Sequence, residues 1–284
     1  MVSKNNIDKK TYYFHNNAHI GDCLVSLHFL KKLCEKNNIF CEFSCNQNYI
    51  GENINQLIEL VKSTPNIKIS FNQGPNSIEL WYPVIARRIE NDPEKEYPFF
   101  CSNYPEFEDV FRLWFGIGNQ VAEELGLNKP FKKISDVLFD ENEISEIGIL
   151  NPETLEKEHF DFLIVNSYCM SGQMKWNQSE HDVFFDQIVR ILQENNKKFI
   201  TTKKVHNVPC TLDTNQSLVG IAKISKQCDY ILGVPTSPFL ICANKWSFKN
   251  CKKIINITHD YLTFDMGNKF QNFEMEKFIK LVKK

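Results

Sequence analysis

The chain lacks a strong charge of either sign. Over 284 residues, 33 Lys and Arg stand against 35 Asp and Glu, a formal net charge of −2. That balance supplies no global field for holding nucleic acid or an anionic membrane, and leaves only a local basic pocket open. No run approaches the roughly 18 apolar residues of a membrane-spanning helix, and the start, MVSKNNIDKK, has no apolar signal core. No CxxC pair occurs. The ten cysteines are scattered, and the closest, Cys41 and Cys45, are followed by no Cys/His group at zinc-like spacing. Several, such as Cys228 and Cys242, fall in apolar stretches, which predicts unpaired core thiols in a reducing, cytoplasmic compartment. GxxxxGK[ST], GxGxxG, HExxH and GxSxG are all missing, as is any DxD flanked by apolar strands. These absences remove a Walker-type phosphate loop and argue against a nicotinamide or flavin dehydrogenase. They also leave a metal-dependent mechanism with little support, so neither a metal site nor a resident cofactor is expected.

What is present is an ordinary globular composition, 42% hydrophobic and 24% charged, which excludes a disordered or collagen-like chain. Strands and helices alternate, twice. Thr11–Phe14 reads as a short aromatic strand. Ile20, Leu24, Leu27, Leu30 and Cys34 recur at helical spacing with lysines on the other face. A strand over Ile39–Ser44, a helix near Asn53–Lys62, and strands at Ile67–Phe71 and Ser77–Pro83 continue the pattern. Glu90–Glu108, with its prolines and charges, reads as a long surface loop, and Asp109–Leu125 as a helix ending near Gly126. The acidic stretch Asp140–Glu158 reads as a domain boundary. The pattern then restarts with a strand at Asp161–Asn166, a helix capped by Ser179, a strand at Lys198–Thr202 and a helix opened by Ser217. A strand at Asp229–Val234, a short helix over Phe239–Lys245, a last strand at Ile254–Thr258 and a terminal helix over Phe273–Lys283 follow. Strands alternating with helices predict an α/β fold with a mostly parallel sheet covered on both faces.

In such sheets ligands bind outside the carboxyl ends of the strands, and two loops there stand out. His15–Asp22 (HNNAHIGD) joins a strand to a helix. Gly21 permits close backbone approach, and Asp22 places a carboxylate at the helix start. Asp22 fits two descriptions, a general base for a substrate hydroxyl or a capping acid stabilised by the dipole. His15 and His19 share the loop, as ligands or acids, or as partly solvated loop residues. Gly233–Pro238 (GVPTSP) is the second loop. Thr236 and Ser237 at a helix start suit an anionic group, or simply an N-cap followed by a first-turn proline. Between them, Ser171, Gly172 and Lys175 in SGQMKW precede a helix, with Lys175 able to neutralise a diphosphate. Lys203 follows a strand end and faces either the same ligand or solvent.

The ordered set resembles a known arrangement. The strand, loop and helix around His19–Asp22, the Lys175–Trp176 pair before the helix of Phe184–Leu192, and the helix–strand–turn–helix run from Leu218 to Trp246 are together similar to the heptosyltransferase-type glycosyltransferases. Pro235 and Pro238 depart from that family's acid and glycine, its helix histidine is missing, and so is the arginine beside Lys175. The resemblance implies a GT-B fold of two Rossmann-like domains facing a cleft. Residues 1–150 would be the acceptor domain and 151–284 the nucleotide-sugar donor domain, with the terminal helix crossing back. It implies a metal-independent, inverting transfer of a sugar from a nucleotide-diphosphate donor to a glycan or other hydroxyl acceptor, with Asp22 as base. On that reading Ser171, Gly172, Lys175, Lys203, Gly233, Thr236 and Ser237 hold the donor, and the nucleotide-sugar is a co-substrate. A nucleotide-sugar epimerase of the same fold and a non-catalytic nucleotide- or glycan-binding protein are the alternatives.

Overall fold

The structure, a computed structural model, describes residues 10–80, 110–140, 158–168, 176–214, 217–257 and 269–284. Among these, residues 10–80 and 112–137 belong to one compact unit and those from Leu138 onward to a second. The expected surface loop at Glu90–Glu108 lies outside the described residues, and so does nearly all of the acidic stretch expected to separate the domains.

The first unit is built on a parallel sheet of β1 (Thr11–Asn16), β2 (Phe40–Cys45), β3 (Ile67–Ser70) and β4 (Ile78–Glu79), in the order β3-β2-β1-β4. Thr11 pairs with Phe40 and the register runs unbroken to Asn16 and Cys45, while His15 pairs with Glu79 of β4. Helix α1 (Ile20–Asn37) crosses from β1 to β2. Its Leu24, Leu27, Leu30 and Cys34 are buried, as their spacing predicts, and Asn38 ends it in the left-handed region at φ 51°. Asparagine tolerates that conformation better than most residues because its short side chain bonds locally. A one-turn helix α2 (Gln47–Ile50) and helix α3 (Ile54–Val61) connect β2 to β3, and α4 (Val110–Glu124) ends two residues before Gly126, whose φ is 66°.

The second unit carries β5 (Phe160–Val165), β6 (Phe199–Thr201), β7 (Cys228–Gly233), β8 (Lys253–Asn256) and β9 (Phe270–Asn272), all parallel, in the order β6-β5-β7-β8-β9. Its helices are α5 (Gln178–Glu194), α6 (Leu218–Ser225), α7 (Ser237–Cys242), α8 (Lys245–Asn250) and α9 (Met275–Val282). The core joins β5, β7 and β8 to α5 and α9 through Phe162, Phe185, Ile188, Leu232, Ile255 and Phe278. At about 25 cal/mol per Å2 of apolar surface removed from water, burial of such side chains is the main stabilising term. α9 thus packs Phe278 and Val282 into the core of its own unit.

Several expectations are corrected. Asn177, not Ser179, caps α5: its side chain accepts from the Glu180 N–H while the Glu180 carboxylate accepts from the Asn177 N–H. This reciprocal box satisfies two amide donors at once and outweighs a lone hydroxyl. The single helix expected over Phe239–Lys245 is two, because Ala243 leaves helical geometry at ψ 58° and Asn244 recaps the chain by accepting from the Ser247 N–H at 2.9 Å. Ile254–Thr258 is not the last strand, since β9 adds an edge too short and too polar to show a period. The strand expected at Ser77–Pro83 is only the Ile78–Glu79 pair within the described residues.

Candidate functional site

In the first sheet, β2 and β3 lie on one side of β1 and β4 on the other. Strand order therefore reverses at β1/β4, and the carboxyl ends there open the crevice where open α/β sheets bind ligands. The loop at that point is shorter than expected. His15 and Asn16 belong to β1, Ile20, Gly21 and Asp22 to the first turn of α1, and only Asn17–His19 connects them. Asn16 is buried and organises the turn: its Oδ1 accepts from the Ala18 N–H at 2.9 Å, and its Nδ2 donates to Ser26 Oγ at 3.0 Å. Ser26 Oγ in turn donates to the Asp22 carbonyl at 2.9 Å.

His19 is the N-cap of α1 but makes no side-chain cap bond. The half-buried Asp22 supplies the missing acceptor, taking backbone N–H bonds from Asp22 itself and from His19. Burial raises its carboxyl above the ordinary range, while the His19 charge and the two amide bonds pull the other way. Asp22 also lines a cavity of about 50 Å3 with Asn16, Ser26, His28, Trp114 and Phe131. That is space for a small polar group or a few waters. His28 is committed elsewhere, donating through Nε2 to the Asp136 carbonyl at 3.0 Å. His15 is buried rather than partly solvated. Its ring lies 3.0 Å from Ser77 Oγ and 3.1 Å from Gln73 Nε2, and 3.9 Å from the Glu79 carboxylate, so it ties β1 to β4 and the turn before it.

The second sheet reverses at β5/β7. Gly233 ends β7 opposite Val165, and a Cβ there would meet the Val165 carbonyl oxygen at 2.6 Å. The glycine is thus needed for strand packing. Beyond it, Thr236 is the N-cap of α7, yet its hydroxyl donates back to the Val234 carbonyl at 3.4 Å instead of capping, and Ser237 is buried in the first turn. Lys203 is exposed just past β6, and its backbone is gripped by Asn166, whose Oδ1 accepts from the Lys203 N–H at 2.7 Å and whose Nδ2 donates to the Lys203 carbonyl at 3.0 Å. Lys204 pairs with Asp213 at 2.8 Å. Ser171, Gly172 and Lys175 lie outside the described residues. Among the described residues no group of three or more His, Cys, Asp or Glu could hold a metal ion.

The loop sequences did not point to Asn16, Asn166 or Tyr49, whose ring centroid lies 5.0 Å from that of His19. A signal existed for the two asparagines: apolar strand runs ending on Asn (YYFHN, FLIVN and KIIN) all bury that residue.

No protein-family model and no curated protein matches the chain. Among solved structures it is similar to a glycosyl transferase family 9 protein from Veillonella parvula, at 10% identity over 96% of this chain and 92% of that one, with a TM-score of 0.46. It is similar to E. coli heptosyltransferase WaaC with ADP at 8% identity, covering 96% and 100%, with a TM-score of 0.49. The dodecameric iron-containing heptosyltransferase TibC in complex with ADP-D-beta-D-heptose is matched at 10% identity over 91% of this chain, TM-score 0.48, and the chain spans 62% of its length. Identities of 10% or less with TM-scores below 0.5 assign no residue roles, which rest on the chain's own side chains. No described helix is long and apolar enough to cross a membrane.

Proposed function

We propose that this chain is a glycosyltransferase that moves a sugar from a nucleotide-diphosphate donor to a glycan or other hydroxyl acceptor. The observation that carries the reading is Asp22. It is a half-buried carboxylate with a raised pKa, held by two amides at the reversal point of the first sheet, on a residue that lines a cavity. A base so placed takes the proton of an acceptor hydroxyl as its oxygen attacks the anomeric carbon from the face opposite the leaving group. The new carbon–oxygen bond forms with inversion, and the electron pair of the broken bond departs with the diphosphate. Lys203 and the Thr236–Ser237 turn, with Ser171, Gly172 and Lys175, are our candidates to stabilise that departing charge, and they do so without a metal. The corresponding architecture is of GT-B type, with two Rossmann-like units that each end in a carboxyl edge.

The test is nucleotide release from a panel of UDP-, GDP-, ADP- and dTDP-sugars, with and without EDTA. Release is expected from at least one donor, unchanged by EDTA, and reduced about 10²–10⁴-fold in Asp22→Asn. No release from any donor, or equal rates in the variant, overturns the reading. Interconversion of sugars without release identifies an epimerase instead, and saturable binding without turnover a binding protein.

A further inference from the structure

We infer that the carboxyl edge of the first sheet recognises an uncharged saccharide, with Tyr49 and His19 as the platform on which its ring stacks. The inference rests on the transferase reading and names the acceptor class for the same site. Two independent observations carry it.

The first is the chemistry of the loops at that edge. Residues 17–19, 46–53 and 71–77 follow β1, β2 and β3, and they contain no Lys or Arg and eight Asn or Gln. The charged groups among and beside them are the carboxylates of Asp22, Glu52 and Glu79. Phosphate or carboxylate ligands are held by guanidinium and ammonium groups, and the described residues of these loops carry neither. Amides supply both donors and acceptors, which is what a ring bearing several hydroxyls requires. Asn17, Gln47, Asn48, Asn72 and Gln73 are exposed there.

The second is Tyr49. Phe14 and Phe43 of the same unit are buried, whereas Tyr49 is 57% exposed. Its position is fixed: Asn46 caps the one-turn helix α2 by accepting from the Asn48 N–H at 2.9 Å, and the Tyr49 ring packs against His19 at a 58° tilt. His19 in turn is close enough to Asp22 for its charge to favour the carboxylate. One end of the platform therefore adjoins the proposed base. The apolar face of a pyranose presents C–H bonds polarised by the ring oxygens, and these meet the negative face of an aromatic ring favourably. A few placed polar groups around an aromatic surface are also what fixes a small ligand's orientation.

The test measures saccharide binding with no donor present. Saturation-transfer NMR titrations would compare maltose and lactose with glucuronic acid and glucose 6-phosphate, on wild type, Tyr49→Ala and Tyr49→Phe. Neutral sugars should saturate the wild type. Tyr49→Ala should weaken them about fivefold to tenfold, and Tyr49→Phe, which keeps the ring, should stay within about twofold. An unchanged melting temperature confirms that each variant is folded. The inference is overturned if the acidic sugars bind as tightly as the neutral ones, if Tyr49→Ala binds like wild type, or if no sugar saturates. Failure of the transferase reading looks different: neutral sugars bind through Tyr49, yet no nucleotide-sugar is turned over. Conversely, donor turnover that depends on Asp22, without Tyr49-dependent sugar binding, removes the platform and leaves the reading standing.

Discussion

Gly233 lies so close to Val165 that a β-carbon on it would sit 2.5 Å from the Val165 Cβ and 2.6 Å from the Val165 carbonyl oxygen. The two residues are paired in register at the ends of β7 and β5, the point where the second sheet reverses. Two strand backbones cannot part without breaking the ladder on either side, including the Val234 N–H to Val165 carbonyl bond at 3.2 Å. Gly233→Ala should therefore destabilise the fold by about 1–3 kcal/mol, the usual range for overpacking. Urea unfolding with an unchanged m-value would show it, and a wild-type midpoint would mean that the strands yield.

Asp22 separates a capping role from a functional one through the sign of its effect on stability. Burial, the largest influence, raises its folded-state pKa above the unfolded value of about 3.9. Between those two values the folded state binds more protons than the unfolded state, so stability falls as pH rises through that window. Asp22→Asn cannot ionise and should lose this slope, melting higher than wild type at pH 7 with the gain shrinking towards pH 4. A group that served only as a cap would do the reverse, and its loss would cost about 0.5–1 kcal/mol at pH 7. Melting curves of both proteins from pH 4 to 8 decide between them. Turnover by the wild type should rise with pH through the same raised value, because the base acts only when deprotonated.

The architecture was legible because its signals are local. The helical spacing from Ile20 to Cys34 and the apolar run DFLIVN each determine one element and its buried face, and their alternation implies parallel sheets. The shortened loop before α1 was not legible, because Asn16 holds it through a bond to Ser26 ten residues away. Nor was the capping of α5, where Asn177 and Ser179 both read as caps and only the reach of Glu180 favours the first. The site was half legible. Gly233 and Lys203 stand at strand ends and Asp22 at a helix start, but what each does depends on Val165, Asn166 or burial, none of which a loop sequence shows.

The thiols offer a chemical check. The eight described cysteines are free and buried. Burial pushes the Cys45 and Cys251 thiols up to about 11 each, and raises Cys23, Cys228 and Cys242 further still. Cys41 is raised first by its hydrogen bond with Cys34, whose sulfur donates to it at 3.2 Å. At pH 8 a thiol of pKa 11 is thiolate in only about one molecule in a thousand, and the thiolate is the reactive form. Ellman's reagent should accordingly leave at least eight of the ten thiols unreacted in the native protein and titrate all ten in guanidinium chloride. Rapid reaction of more than two in the native state would contradict the packing around them.

Lys203 and Asn166 should fail in different ways, and the difference tests the donor side of the proposal. The Lys203 side chain is exposed, so removing it costs the fold little, as for most surface positions. Asn166 is buried, grips both backbone polar groups of Lys203 and accepts from Thr202 Oγ1 at 3.2 Å. Asn166→Ala leaves buried partners unsatisfied and should cost about 1–3 kcal/mol in stability. If Lys203 meets a diphosphate, Lys203→Ala should weaken the best-binding nucleoside diphosphate about tenfold, equivalent to one charge-assisted hydrogen bond of ~1.4 kcal/mol, with melting unchanged. Asn166→Ala should then lose both stability and affinity, because the lysine is no longer aimed. Calorimetric titration of both variants reads the affinities directly. Wild-type affinity in Lys203→Ala would make this lysine a solvated surface group, and the diphosphate would have to be held by other residues of the second sheet's carboxyl edge.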